Sequence, residues 1–247
     1  MARDAGFSSL FTCGGLLAVF GTIRAFRREI ESGTMEMALA HPVSRAEFFL
    51  AKTLGAFAAS LVFALVVFLT AVTIVHGAAV GGEIAAQRGD LARLWGPCFA
   101  AGIGIIVLPL VLGAAFNRFS RSRFTLTAFV LGVSLSAAVA GFVLSRDAAL
   151  VLRLVPVALL IVLLTSVLLS ASAAFAVRLK AHAAAAAAGL VFAALLPAAG
   201  NYYLADALAK GGCVSWGYVG LAALAILPAE LLFLLLGIHF INGHDVA

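Results

Sequence analysis

The long apolar runs of the chain place the strongest limit on its fold. Neither Phe124–Leu144 nor Leu154–Val177 contains a charged residue. A hydrocarbon core about 30 Å thick is crossed by roughly 20 apolar residues in a helix. Because lipid offers no partner to a backbone amide, such runs must form helices or a closed barrel, and the alternating pattern of a barrel is absent. The sequence therefore predicts an all-α, polytopic membrane protein.

The composition supports the same class. Hydrophobic residues make up 64% of the 247 residues and charged residues 11%, whereas soluble domains carry about 25% charged residues. The mean hydropathy is +1.15 and the sequence pI is about 9.6. The net charge of +5 comes from short basic clusters between the apolar runs, a pattern that sets orientation in a bilayer and meets anionic headgroups. We predict contact with lipid and no nucleic-acid partner.

Seven segments are predicted to span the membrane within a single domain that covers residues 1–247. Their bounds are 7–23, 48–76, 95–116, 124–144, 154–177, 183–199 and 216–241. The sixth segment is weak because it opens with a run of alanines, and without it the count would be six. The mixed polar segments Gly77–Leu94 and Gly200–Ser215 are predicted to lie outside the membrane.

The basic residues predict the orientation of these spans. If Arg24–Lys52 is cytoplasmic, ten of the sixteen Lys and Arg residues fall on the inner side, in agreement with the positive-inside rule. The C-terminal residues His244–Ala247 are then cytoplasmic and the N-terminus is outside. Only six residues precede Phe7, so we expect that a preceding helix is missing from this chain, with the six-span count as the alternative.

The predicted cytoplasmic segment 24–47 has a pattern of helix, break, short helix and break. Gly33 interrupts the basic extension of the first span, and Thr34 is a plausible N-cap for a short amphipathic helix through Leu39. Pro42 prevents that helix from continuing. Ser44 and Glu47 then form the pattern of a capping box at the start of the second span. A short helix held between two spans is well placed to contact a cytoplasmic partner.

This segment resembles the region after the second helix of type-2 ABC exporter permeases, which reads R-E-x-E-x-G-T-x-x-x-L-L-x-x-P-[VIL]-S-R-x-[EQ]-x-x-x-G-K. The chain departs from the pattern at Ala38, where the family often has Leu, and at Ala51, where it usually has Gly. Neither change removes a charge or a helix breaker. The matching residues are Arg28, Glu29, Glu31, Gly33, Thr34, Leu39, Pro42, Val43, Ser44, Arg45, Glu47 and Lys52.

The resemblance implies a transmembrane permease subunit in a bacterial inner membrane. Such permeases pair as two copies, or as two paralogues, with two cytoplasmic ABC ATPases. The segment after the second helix acts as a coupling helix on the ATPase. The residues to which the resemblance assigns this role are Glu29, Glu31, Gly33, Thr34, Pro42, Ser44, Arg45, Glu47 and Lys52, with Lys52 at the level of the inner headgroups. The resemblance also places the family's first helix before Phe7.

No catalytic or metal-binding constellation is evident in the sequence, and no G-x-x-x-x-G-K-[ST] run is present. We therefore expect the chain not to be an enzyme and to bind no cofactor itself, with ATP and Mg²⁺ bound by the partner ATPase. Glu230 is the one acidic residue inside a predicted span, two residues after Pro228. It is a candidate for the translocation path, or alternatively a carboxyl that is bonded to a neighbouring helix.

Two other functions fit parts of the pattern. The chain could be a membrane anchor or scaffold that uses segment 24–47 to hold a partner without moving a substrate. An ion-coupled secondary transporter would need several charges at the membrane midplane, and only Glu230 is available. The ATP-driven exporter is the interpretation that accounts for most of the sequence, although the sequence does not identify its substrate.

Overall fold

The computed structural model describes residues 11–32, 44–88, 107–115, 118, 124–146, 148–200 and 214–243. All regular structure in these residues is helical, which confirms the predicted all-α fold. The predicted short helix after Thr34, with Gly33 and Pro42, lies outside the described residues. Most of the predicted span Trp95–Phe116 and of the loop Gly200–Ser215 lies outside them as well.

Seven helices are labelled here in chain order. Helix α1 covers 11–31, α2 is Arg45–Arg88, α3 covers 107–115, α4 is Phe124–Arg146, α5 is Ala148–Arg178, α6 is Ala181–Gly200 and α7 is Trp216–Asn242.

Four of the described helices are long and apolar enough to cross a membrane. Their apolar stretches are Arg45–Thr73, Phe129–Arg146, Val151–Arg178 and Trp216–Asn242, and each overlaps a predicted span. Helix α6 contains a shorter apolar stretch, Ala181–Ala194, at the place where the weak sixth span was predicted. The apolar helices overlap the predicted spans for a physical reason. In lipid, an apolar segment must pair its own backbone groups, so a long apolar run is expected to be a helix.

Helix α2 is longer than the sequence pattern predicts. The predicted span ends at His76, but the helix continues without a break to Arg88. Adding a residue to an existing helix is easy compared with starting one. The segment Gly77–Arg88 contains glycines but no proline, so nothing in it stops a helix that has already formed in the span.

Helix α1 contains a π-helical turn at Leu17–Gly21, followed by the α-helix Thr22–Glu31. Two of the turn residues, Ala18 and Val19, are buried. Single π turns inside α-helices shift the register of the faces on either side. The basic extension Arg24–Glu31 therefore belongs to the same helix as the first predicted span, and its buried positions are Thr22, Ile23 and Phe26.

The chain forms two compact units. Unit 1 contains Met1–Phe7 and Leu65–Val155, and unit 2 contains Ser8–Ala64 and Pro156–Ala247. In unit 1, helices α3 and α4 approach closely, and a Cβ added at Gly132 would lie 3.8 Å from Cβ of Pro109. Unit 2 contains α1, the first part of α2, most of α5, α6 and α7.

The core of unit 2 is built around α5. The stretch Ala171–Val177 is buried at nearly every position and consists mainly of Ala and Ser. Small side chains let membrane helices approach closely. Helix α1 uses the same device, since a Cβ at Gly14 would lie 3.6 Å from Thr165 and one at Gly15 would lie 3.7 Å from Leu168. These contacts hold α1 directly against α5.

Candidate functional site

Five helix ends meet at one end of unit 2. They are the last turns of α1, α5 and α7 and the first turns of α2 and α6. One buried cluster joins all five, and it includes Phe26, Phe49, Val177, Ala184 and Ile241. We call this region the polar end; it comprises the described residues within 24–32, 44–53, 177–184 and 237–243. All of the described residues that the sequence assigns to ATPase coupling lie here.

Phe49 is the apolar centre of the polar end. Its side chain is fully buried, and its ring stacks at a tilt against Phe26 with 5.5 Å between the ring centroids. On its other side the ring lies against Gly237 of α7, where an added Cβ would be 2.7 Å from Cε1 and 2.8 Å from Cε2. Phe49 therefore links α1, α2 and α7 through apolar contacts alone.

An ion pair also connects α1 to α2. The Lys52 ammonium donates to Oε1 of Glu29, and both side chains are partly buried. The pair thus joins a turn of α1 to a turn of α2. Both residues belong to the set that the sequence assigns to coupling. Charge-assisted contacts of this kind are stronger than neutral ones, and more so away from bulk water. Within α1, Arg27 also donates to Glu31 at 3.0 Å on the exposed face.

The predicted capping box is present at the start of α2. The backbone N–H of Ser44 donates to Oε2 of Glu47 at 2.8 Å, and the N–H of Glu47 donates to Oγ of Ser44 at 3.2 Å. Each side chain thus satisfies a backbone donor that the helix leaves unpaired. The box fixes where α2 begins, and so it fixes the point at which segment 33–43 joins the membrane helix.

Arg45 connects the beginning of α2 to the end of α7. Its Nη1 lies 3.4 Å from the carbonyl oxygens of both Ile241 and Asn242. The last carbonyls of a helix lack partners within the helix and carry its negative dipole end, so a guanidinium there is stabilising. At the same end, the guanidinium of Arg178 lies over the ring of Phe240, 5.7 Å from its centroid.

The structure brings together six of the nine residues that the sequence assigns to coupling. The six are Glu29, Glu31, Ser44, Arg45, Glu47 and Lys52. The other three, Gly33, Thr34 and Pro42, lie outside the described residues. The sequence pattern missed Phe26, Phe49 and Gly237, and the one available signal was a glycine inside the leucine-rich span of α7.

Glu230 lies inside the apolar stretch of α7, outside the residues that define the polar end. Oγ of Ser166 in α5 is 3.1 Å from Oε2 of Glu230. The carboxyl is half-buried and borders an open cleft between the faces of α2, α5 and α7. The contact with α5 agrees with the structural alternative for Glu230, and the role in translocation stays a prediction.

A resident metal ion has no candidate site in the part of the chain that the structure describes. No group of three or more His, Cys, Asp or Glu side chains lies close enough there to hold one. At the polar end, Glu29 pairs with Lys52, and Glu47 and Arg45 contact backbone groups at helix termini. These contacts hold the ends of neighbouring helices together.

The described part of the chain combines several long apolar helices with a polar end where an ion pair and contacts to helix termini join neighbouring helices. Comparison with protein families gives a match of residues 5–132 to the ABC-2 family transporter protein model. Because the match covers more than half of the chain, the protein belongs to the ABC-2 transporter family and is a multi-pass membrane permease. Comparison with curated proteins and with solved structures gave no match.

Proposed function

We propose that this chain is the transmembrane subunit of an ATP-driven exporter, working with a separate cytoplasmic ABC ATPase. The observation that carries the proposal is the family match over residues 5–132, which includes the whole segment 24–47. The membrane subunit of such a system hydrolyses no ATP itself. We propose that two copies of the chain, or one copy and a paralogue, enclose the path, and that ATP and Mg²⁺ are bound by the ATPase.

The contacts of the polar end suggest how a movement of segment 33–43 would reach the spans. This segment leaves α1 just after Glu31 and enters α2 at the Ser44–Glu47 box. The Glu29–Lys52 pair ties α1 to α2. An ATPase that pulls on the segment would therefore move both helices together, and it would move α7 through Arg45.

This arrangement assigns different tasks to the predicted coupling residues. Glu31 is exposed and is available to a partner surface. Arg45, Glu47 and Lys52 hold neighbouring helices and helix ends within the chain. We therefore propose Glu31, with Gly33, Thr34 and Pro42, as the part of the segment that contacts the ATPase. ATP binding shifts the equilibrium between two permease states only by its different affinity for them.

We also propose that the polar end faces the cytoplasm of a bacterial cell, with the C-terminus on the same side. The exposed basic residues Arg24, Arg28, Arg178 and Lys180 all lie at this end. Basic residues accumulate in cytoplasmic segments and meet the anionic headgroups of the inner leaflet. Placing the polar end in the cytoplasm puts segment 33–43 within reach of a soluble ATPase.

The test is co-purification of the full-length chain from its native membrane in mild detergent. We expect a protein that carries a G-x-x-x-x-G-K-[ST] motif to co-purify, and we expect the complex to hydrolyse ATP. Glu31→Lys should reduce the amount of this ATPase at least several-fold without lowering the yield of folded permease. Arg146→Glu is the matched control, because it reverses an exposed charge that the topology places on the other side of the membrane.

Three results would each contradict part of the proposal. If the folded chain brings down no ATPase, the anchor interpretation gains over the permease interpretation. If an ATPase is bound but ATP drives substrate out of inside-out vesicles, the proposed direction of transport is wrong. Equal loss of the ATPase in Glu31→Lys and Arg146→Glu would remove segment 24–47 from the interface.

A further inference from the structure

The cleft beside Glu230 has a composition that the coupling function does not explain. It has a volume of about 300 Å³ and opens on the surface of unit 2. Apart from Glu230, its lining is almost entirely apolar. The lining residues are Leu50, Thr53, Leu54, Phe57, Leu169, Glu230 and Leu234. Ligand sites in proteins commonly have this character, in which apolar walls surround a single group that sets orientation.

The carboxyl of Glu230 has few polar contacts in the part of the chain that the structure describes. Its one polar contact in the described part of the chain is Oγ of Ser166 at 3.1 Å. That hydroxyl is also 2.8 Å from the carbonyl oxygen of Leu163. Since a serine carries one hydroxyl proton, it cannot donate to both oxygens at once. No basic side chain among the described residues pairs with Glu230.

Thr53, the other polar residue that lines the cleft, does not donate a hydrogen bond to Glu230. Its hydroxyl donates to the carbonyl oxygen of Phe49 at 2.8 Å, one turn earlier in α2. A carboxylate inside a membrane span is costly unless a charge of opposite sign or a proton accompanies it. Among the described residues, the carboxyl of Glu230 thus has one hydroxyl contact and no basic partner, and Phe57 and four leucines line the same cleft.

These walls determine which kind of cation fits. Hard metal ions need about six oxygen ligands, whereas the described lining provides the Glu230 carboxylate and the Thr53 hydroxyl, which already donates to Phe49. An organic cation with spread charge needs no such shell. Phe57 lines the cleft, and aromatic rings attract quaternary ammonium and similar cations. The leucine side chains suit the apolar body of the same molecule.

We propose that the Glu230 cleft binds a monovalent amphipathic organic cation, with the carboxylate opposite the charged centre and Phe57 and the leucines against the apolar groups. This inference rests on the proposed transport function in that it names the substrate class. The binding itself is measurable without ATP or a partner. A failure to bind would therefore not bear on whether an ATPase co-purifies, and loss of the ATPase would not bear on the binding.

The experiment measures binding of radiolabelled methyltriphenylphosphonium to the purified full-length chain in nanodiscs, with empty nanodiscs subtracted. We expect saturable binding to the wild type, with triphenylphosphine oxide, a neutral analogue, competing poorly. Glu230→Gln should weaken binding by about tenfold or more, since it removes the charge and keeps the shape. Glu230→Asp keeps the charge and should retain most of the binding.

Leu227→Gln is the matched control, because it adds the same amide to an exposed position of α7 outside the cleft. It should bind like the wild type, and size-exclusion profiles should show that all variants are folded. Absence of saturable binding to the wild type, as expected if lipid or a second copy of the chain fills the cleft, would overturn the proposal. So would equal binding of Glu230→Gln and wild type, which is expected if the carboxyl carries a proton.

Discussion

The ring of Phe49 in α2 lies directly against the backbone of Gly237 in α7. A Cβ at position 237 would be 2.7 Å from Cε1 and 2.8 Å from Cε2 of the ring, and closer still to Cζ. Real Cβ atoms essentially never come this near to another carbon. The ring is fully enclosed and also stacks on Phe26 of α1. The absence of a side chain at 237 is therefore what lets three helices meet at the polar end.

Gly237→Ala is expected to destabilise the protein. The added methyl forces the ring of Phe49 or the helix backbone to move, and overpacking of this kind costs about 1–3 kcal/mol. The melting temperature of the purified chain in detergent measures the effect. Phe49→Leu should be less harmful in the Gly237→Ala background than in the wild type, because it removes the colliding ring.

Gly220→Ala is the control for this prediction. It lies in the same helix, and a Cβ there would meet no atom within 4 Å. Because alanine favours a helix over glycine by about 1 kcal/mol, this variant should be unchanged or slightly more stable. If the two variants melt at the same temperature, the close contact between Phe49 and Gly237 is not important for stability.

Reversing the Glu29–Lys52 pair tests the link between α1 and α2. Lys52→Glu places two carboxylates together at a partly buried site, and we expect a loss of about 1–2 kcal/mol. The double variant Glu29→Lys, Lys52→Glu should recover most of the stability. Melting of the wild type, Lys52→Glu, the single variant Glu29→Lys and the double variant gives the coupling energy between the two sites. A double variant that is no better than Lys52→Glu would show that the pair contributes little.

The capping box gives a prediction that is local to the start of α2. Ser44→Ala removes the acceptor for the N–H of Glu47, and loss of an N-cap typically costs about 1 kcal/mol. Hydrogen exchange of peptides that include residues 45–48 should become faster, while peptides from the centre of α5 stay unchanged. Ser44→Asp restores an acceptor and should return exchange to near the wild-type rate. Unchanged exchange in Ser44→Ala would contradict a role for the box.

Sequence reasoning located the long apolar helices because each of them is determined by its own residues. The apolar stretches of α4, α5 and α7 were predicted to within a few residues, apart from the earlier start of α5 at Ala148. The capping box was also predictable, since it joins residues three apart. The continuation of α2 to Arg88 was not predictable. The glycines and polar residues after His76 suggest that the helix ends there, but none of them prevents it from continuing.

The contacts of the site were harder to predict for a different reason. Glu29 and Lys52 were both selected from the sequence, but their pairing depends on how α1 and α2 lie side by side. The contact of Phe49 with Gly237 joins residues at opposite ends of the chain, and that of Arg45 with Ile241 does the same. Such pairs cannot be predicted from a single sequence, because they depend on how the helices pack. The same holds for Ser166 as the partner of Glu230.

Arg45 should stabilise the end of α7 even without an ATPase. Arg45→Gln removes the positive charge from the carbonyls of Ile241 and Asn242. We expect the last turn of α7 to fray, so that hydrogen exchange in a peptide covering residues 238–243 rises several-fold in the isolated permease. Arg178→Gln is the control, since its guanidinium contacts the ring of Phe240 rather than a carbonyl. An effect of Arg45→Gln that appears only when an ATPase is bound would place Arg45 at the interface instead.

The orientation of the spans is testable at two helix ends. Helix α5 separates Arg146 from Arg178 by one apolar stretch, Val151–Arg178, so the two positions should lie on opposite sides of the membrane. The larger share of basic residues places Arg178 inside. Alkaline phosphatase, which is active only outside the cytoplasm, should therefore be active when fused after Arg146 and inactive when fused after Arg178. Green fluorescent protein should give the opposite result. Activity of the phosphatase at Arg178 alone would invert the topology, and activity at both positions would mean that α5 does not cross.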